Sequence, residues 1–259
     1  MEANSQGSGV ALVTGGARRI GRAIALALAG DGWDVAVHYG RSAADAGETV
    51  RAIEARGRRA AAFDCDLADA AAVRMLPGRC ADLLGPLACV VNNASLFEYD
   101  SAADFRGELL ERVMAINVAA PVLLAQALAA QLPAGRHGVV INLLDQKLFN
   151  PNPDFLSYTL SKAALKEATT LLAQALAPRV RVVGVAPGIT LVSGEQSEAG
   201  FAAAHTRTPL GRSSTPEDVA QAVVFAARAR AVTGTTLLVD GGQHLVPSGR
   251  DVMFLTEKS

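Results

Sequence analysis

Residues 10–21 read VALVTGGARRIG. Val10–Val13 is an apolar run short enough for a buried strand, and Thr14-Gly15-Gly16 is a turn. From about Ile20 to Ala29 the apolar positions recur at helical spacing. A strand that passes through a glycine turn into a helix is how a dinucleotide-binding unit opens. Glycine lets the backbone come close to a pyrophosphate, and the helix start offers N–H groups and positive potential. The turn from Gly15 to Gly21, with Arg18, Arg19 and Ile20 in it, is the expected cofactor cradle.

Working outward, Trp33-Asp34 leads to a second strand, Val35–Tyr39, followed by Gly40-Arg41-Ser42. An NAD enzyme carries an acid after this strand for the ribose 2′-hydroxyl. No Asp or Glu stands there, whereas Arg41 and Ser42 suit a 2′-phosphate, so NADPH is the expected cofactor. The helix from about Ala43 to Arg56 stops at Gly57. Strands follow at about Ala60–Phe63, Ala88–Val91, Val139–Leu144, Val180–Val185 and Thr236–Val239, with helical patterns between them. The longest such pattern is Phe105 to Leu132, with Asn117 in its middle. Thr215-Pro216-Glu217-Asp218 reads as a helix start, with Pro in first position and acids in the first turn. Seven apolar strand candidates alternating with helices predict an α/β chain. The expected architecture is a single Rossmann domain over 1–259 with a doubly wound parallel sheet. Residues 1–8 are expected to be flexible, and 189–209, polar and rich in Ala and Gly, to form a substrate lid.

A second stretch, Asp145–Lys162, carries the chemistry. Tyr158 and Lys162 stand four apart, one turn from each other on a helix face. An ammonium beside a phenol favours the phenolate, so the spacing predicts a Tyr pKa lowered toward neutrality and a general acid at Tyr158. Asp145 lies where the chain leaves a strand, thirteen positions before Tyr158.

Composition narrows the partners. With a net charge of −1 and no basic block, nucleic acid is not expected. The polar start MEANSQGSG lacks the features of a leader, and no uninterrupted apolar run approaches the ~20 residues of a membrane span. A cytoplasmic protein with no membrane contact is expected. The three cysteines form no CxxC pair and the four histidines show no metal-ligand spacing, so no metal is expected.

With TGGARRIG, NNAS, YTLSK, PG and DGG in order, the chain resembles the short-chain dehydrogenase/reductase family over essentially its whole length. The resemblance implies Tyr158 as proton donor, with Lys162 lowering its pKa and holding the nicotinamide ribose. It implies Asn117 behind a relay water, Asn92 with Ala94 along the cofactor, and Asp66 with Leu67 at the adenine. Tyr39, Pro187, Gly188, Ile189 and Thr190 complete the implied cofactor contacts. Two departures point to a subgroup. Arg19 occupies the place of the middle glycine of TGxxxGxG, and Asp145 replaces the usual catalytic Ser. Together with HYGRSAADA and the Phe97 that follows NNAS, they resemble pteridine and dihydromonapterin reductases. By that resemblance Arg19 reaches cofactor phosphate and pterin, Phe97 stacks on the pterin, and Ser95 touches cofactor and substrate.

The chemistry agrees with that subgroup. A carboxylate would repel the charge that grows on a ketone oxygen, whereas reducing a C=N bond needs a proton on nitrogen. Asp145 could supply it directly, keep Tyr158 protonated and oriented, or accept from the pterin amino group. Plainer roles stand beside these: Asp145 as a strand-end cap, Phe97 as loop packing, Arg19 as a phosphate partner only. Arg18 and Arg41 could be solvated charges, and Asn117 a structural hydrogen-bonding residue. The expected activity is reduction of a 7,8-dihydropterin, with a carbonyl or 3-oxoacyl reductase and a non-catalytic nucleotide sensor as alternatives. The resemblance also implies a homotetramer whose C-terminal segment, 245–259, approaches a neighbour's site near Arg250; the alternative is a chain end packed on its own subunit.

Overall fold

Parallel strands covered on both faces need continuous apolar runs, and those runs form the sheet. The computed structural model describes residues 9–192 and 197–256, so the expectation for residues 1–8 lies outside the described residues. The strands are β1 (Val10–Val13), β2 (Asp34–Tyr39), β3 (Ala60–Asp64), β4 (Leu87–Asn92), β5 (Gly138–Leu143), β6 (Val180–Pro187) and β7 (Thr236–Val239). They form one seven-stranded parallel sheet in the order β3-β2-β1-β4-β5-β6-β7. The chain is a single-domain α/β Rossmann fold.

Alternation along the strands feeds two cores. Ala11 and Val13 of β1 face one cluster, while Val10 and Leu12 face the other. The first cluster is capped by α1 (Arg19–Gly30), α2 (Ala43–Glu54) and α8 (Pro216–Arg228). The second is capped by α3 (Ala70–Leu84), α5 (Ala120–Gln131) and the long α6 (Leu156–Leu176). The α8 start is a full capping box: Thr215 Oγ1 accepts from Asp218 N, and the Asp218 carboxylate accepts from Thr215 N.

Four findings depart from the sequence reading. Helix α3, for which the sequence reading named no bounds, is capped by Asp69 and carries Pro77 buried within it. The long pattern before β5 is helical throughout, but α4 (Gly107–Met114) and α5 are joined by a π-helical turn, Ala115–Ala119. Gly107–Gln131 is also long and apolar enough to cross a membrane, with mean hydropathy 1.9 over its best window. Its apolarity serves packing, since Val113, Leu124, Ala125 and Leu128 are fully buried in the fold. The expected lid is not all loop: it holds α7 (Glu198–His205), capped by Ser197. A last short helix, α9 (Val252–Thr256), packs against α7.

Candidate active site

The strand order reverses between β1 and β4, and open α/β sheets bind ligands where that happens, at the carboxyl ends of the strands. A cavity of about 600 Å³ lies there, running from the glycine turn past Tyr39–Ser42 to Asp145, Tyr158 and Lys162. Gly15, Arg18, Arg19, Ile20, Gly21, Ala94, Ser95, Phe97, Pro187, Gly188, Ile189 and Thr190 line it as well. Asp66 and Leu67 line an adjoining cavity of about 320 Å³ that shares Gly15, Arg41, Ala94 and Ser95 with the first.

The glycine turn is built for close approach. Gly15 has φ +62°, and a Cβ on Gly21 would run into the Gly15 carbonyl oxygen and the Asn93 amide. Arg18, at the N-cap of α1, offers no side-chain cap, and the first turn holds no acid, so its N–H groups face the cavity uncapped, as an anion site requires. Two side chains hold the turn from behind. Asn93 Nδ2 donates to the Thr14 carbonyl at 2.9 Å, and Gly15 N–H donates to His38 Nδ1 at 3.0 Å. With Nδ1 accepting, His38 Nε2 carries the proton and donates to Cys65 O at 3.0 Å. Burial lowers the His38 pKa, which keeps this neutral form.

At the other end, Asp145 Oδ2 accepts from the Tyr158 hydroxyl at 2.7 Å, and Oδ1 accepts from Lys147 N–H at 2.8 Å. The residue is therefore both the cap of the following turn and the partner of the tyrosine. Lys162 Nζ donates to the Leu143 carbonyl at 2.7 Å and stands 5.7 Å from the centre of the Tyr158 ring. The expected lowering of the Tyr158 pKa is overturned. Burial pushes the phenol well above its usual value, and the Asp145 charge and hydrogen bond push it further. Lys162 yields instead: burial brings its ammonium down to about 8, although Asp145 opposes the shift. Burial likewise raises Asp145, against its bonds from Lys147 and Tyr158 and the Lys162 charge.

Phe97 stacks on Phe155 at 4.2 Å and meets Tyr158 edge-on at 4.7 Å, yet keeps 41% of its surface exposed. It combines loop packing with a face open to the cavity. Arg41 is exposed and pairs with no carboxylate among the described residues.

Two expected placements fail. Asn92 does not line the cavity; it is buried at the end of β4, where its amide donates to Asn142 Oδ1 at 2.8 Å. Asn93, one residue on, takes the wall position. Asn117 is also buried away from the cavity: its side chain accepts from Leu96 N–H at 2.8 Å and donates to Leu96 O and Ser161 Oγ. The structural alternative describes that side chain. Arg250 pairs within its own chain. Its guanidinium grips buried Asp154 at 2.9–3.0 Å, so that Asp251, Val252 and Met253 line this chain's own cavity.

A sequence profile for short chain dehydrogenases matches residues 9–200. The chain belongs to the short-chain dehydrogenase family. A solved structure of FolM alternative dihydrofolate reductase 1 from Brucella canis, complexed with NADP, is 40% identical, with TM-score 0.91 over 96% of this chain and 99% of that one. An uncharacterised oxidoreductase from Methylorubrum extorquens is 37% identical over 90% of this chain and 96% of its own length. A 3-oxoacyl-[acyl-carrier-protein] reductase from Staphylococcus aureus is 32% identical over 91% and 98%.

Set against the family fingerprint, the two unusual residues have physical content. Arg19 stands at the middle-glycine place with φ +54°, a left-handed conformation costing about 1–2 kcal/mol for a side chain with a Cβ. Such strain persists where a site needs it. Here it carries a guanidinium to the cavity wall, where Nη2 donates to Val192 O at 2.8 Å. His38, Asn93 and the 251–253 wall escaped the sequence reading. The asparagine lay within NNAS and His38 at the head of HYGRSAADA, but neither string assigns it a role.

Proposed function

We propose that the chain is an NADPH-dependent reductase of 7,8-dihydropterins, yielding tetrahydropterins. The observation that carries this reading is the Asp145–Tyr158 hydrogen bond of 2.7 Å at the cavity end. A ketone reductase needs a neutral donor beside the growing oxyanion, and a carboxylate there is unfavourable. Proton delivery to a ring nitrogen is instead helped by a second acid. Phe97, half open to the cavity, offers a flat heterocycle a stacking face worth ~0.5–1.5 kcal/mol beyond burial. The name of the Brucella canis relative, a dihydrofolate reductase bound to NADP, supports a pterin-type ring and the same cofactor.

The residues present suit NADPH. Gly15, Arg18, Ile20 and Gly21 would take the pyrophosphate at the α1 start, with Tyr39, Arg41 and Ser42 around the 2′-phosphate. Asp66 and Leu67 would flank the adenine, Ala94 and Ser95 the middle, and Pro187, Gly188, Ile189 and Thr190 the nicotinamide end. When bound, NADPH supplies the hydride. Asp145 and Tyr158 share one proton and titrate as a pair; together they deliver it to the substrate nitrogen, directly from either oxygen. Delivery leaves two negative charges on the pair, and Lys162, still protonated below about pH 8, offsets the one the transfer creates. Arg19 and Ser95 would hold the substrate beside Phe97.

NADPH oxidation with dihydromonapterin or dihydrobiopterin, run beside a 3-oxoacyl thioester and simple ketones, tests the reading. Turnover of ketones alone would overturn it in favour of the reductase chemistry named for the Staphylococcus aureus relative. Arg41→Ala is expected to raise the NADPH KM about 10-fold, since a hydrogen bond to a charged group contributes about 1.5–3 kcal/mol. The NADH KM should barely move, and equal changes in the two would remove Arg41 from the 2′-phosphate. A homotetramer belongs to the same proposal, and its mass in light scattering decides it.

A further inference from the structure

Asp251 puts a carboxylate in the wall of the active-site cavity, and the proton chemistry above does not use it. It is held in place from several sides. Its N–H donates to Asp154 Oδ2 at 2.6 Å, its Oδ1 accepts from Met253 N–H at 3.2 Å, and its Oδ2 faces Lys147 Nζ at 3.3 Å. The holders are themselves fixed. Lys147 is buried, donates to the Asp154 carbonyl at 2.5 Å and stands 5.3 Å from the centre of the Phe155 ring. Asp154 is buried and gripped by Arg250. Opposed by its own burial, the Asp154 carboxyl is still held below its usual range by Arg250, the Asp251 N–H and Lys147.

A carboxylate has about four acceptor positions, and the bonds just given occupy two of them. The side chain keeps 20% of its surface exposed, against 4% for Lys147. Its charge raises both Asp145 and Tyr158, so it belongs to the reacting end of the cavity. The wall beside it, Val252 and Met253, is apolar. A fixed acceptor in such surroundings orients a ligand that brings donors.

We propose that Asp251 determines substrate specificity by accepting hydrogen bonds from the adjacent amino and ring N–H groups of a 2-amino-4-oxopyrimidine ring, an inference that rests on the dihydropterin reading. Two neighbouring donors on one planar edge match the fork of a carboxylate. A 2,4-dioxo ring shows an acceptor next to a donor, and the carboxylate repels the acceptor. An amide at the same place offers one acceptor and one donor, which suits the dioxo edge instead.

The test is titration calorimetry of 6-methylpterin and its 2-oxo counterpart, 6-methyllumazine, into NADP⁺-loaded protein. The wild type is expected to prefer the amino compound at least about 10-fold, a difference of 1.4 kcal/mol. Asp251→Asn should lower that ratio by at least about 10-fold while leaving NADP⁺ affinity unchanged. Asp251→Ser, which can still cap Met253, should bring the ratio toward one, and it serves if the Asn variant melts early. An unchanged ratio in both variants overturns the inference, as does a parallel loss for both ligands, which a merely structural residue would give. A wild type that binds neither compound overturns it too. Turnover separates this from the reading beneath it: an altered ratio without any dihydropterin reduction would sink the reductase and leave the role of Asp251 standing, and turnover with an unaltered ratio would do the reverse.

Discussion

Tyr158→Phe is expected to lower kcat for a 7,8-dihydropterin by roughly 10²–10⁴-fold, toward the upper end of what a positioned general acid contributes. The hydroxyl bonds to Asp145, and Lys162 Nζ stands 5.7 Å from the centre of the Tyr158 ring, so loss of the hydroxyl removes the proton nearest Asp145. The ring contacts survive, because the edge-on packing against Phe97 needs no oxygen. NADPH affinity should therefore change by no more than about 5-fold, the equivalent of one neutral hydrogen bond of about 1 kcal/mol. The residual activity is informative. Without the Tyr158 bond, one of the forces holding the Asp145 carboxyl down is gone, so more of it is protonated at a given pH. Residual kcat should rise as pH falls, with Asp145 as the remaining acid. A kcat within about threefold of wild type would show that Tyr158 is not the acid.

How much of this was legible depended on how local the signal is. The central strands VALV and GVVINL are buried on both sides and read as apolar runs, interrupted in the second by Asn142. The Tyr158–Lys162 pair was readable because four residues on a helix fix a spatial relation without help from the rest of the chain. Its consequence was not. Spacing gives proximity, whereas the direction of the Tyr158 shift depends on burial and on a carboxylate brought from the end of β5. The bounds of helix α3 were not legible, because it runs through Pro77-Gly78, a local turn signal that packing overrides, with Pro77 buried. His38 looked like one scattered histidine among four. Its role exists only because parallel pairing of β2 with β1 sets it behind Gly15. Asp251 is the extreme case: 106 positions separate it from Asp145 in sequence (251 − 145), and only the grip of Asp154 and Lys147 brings it to the cavity. Asn92 and Asn93 differ by the alternation of a strand end, which a motif string does not encode.

Asp145→Ala is expected to lower kcat for the dihydropterin by roughly 10²–10⁴-fold, the range for loss of an acid–base partner. Part of any loss could come from the missing cap, because Asp145 Oδ1 also accepts from Lys147 N–H. Asp145→Asn separates the two roles: its amide oxygen keeps the cap, while its NH2 faces Tyr158 as a donor with no acidic proton to give, so it should be nearly as slow as Ala. The pH profile carries the sharper signature. As pH rises through about 8, Lys162 loses the proton that balances the charge left on the acid pair, so wild-type kcat falls on the alkaline side. Burial alone would bring Lys162 lower, and the Asp145 charge holds it up. Removing that charge, by Ala or Asn, must therefore move the alkaline limb toward lower pH. That movement reports the Asp145 charge beside Lys162, and the slow Asn variant, whose cap survives, separates acid from cap. If both variants keep kcat within about threefold of wild type from about pH 6 to 9, with the alkaline limb in place, Asp145 is a cap and nothing more. A slow enzyme with a shifted limb makes it the residue that turns a carbonyl reductase scaffold toward a C=N bond.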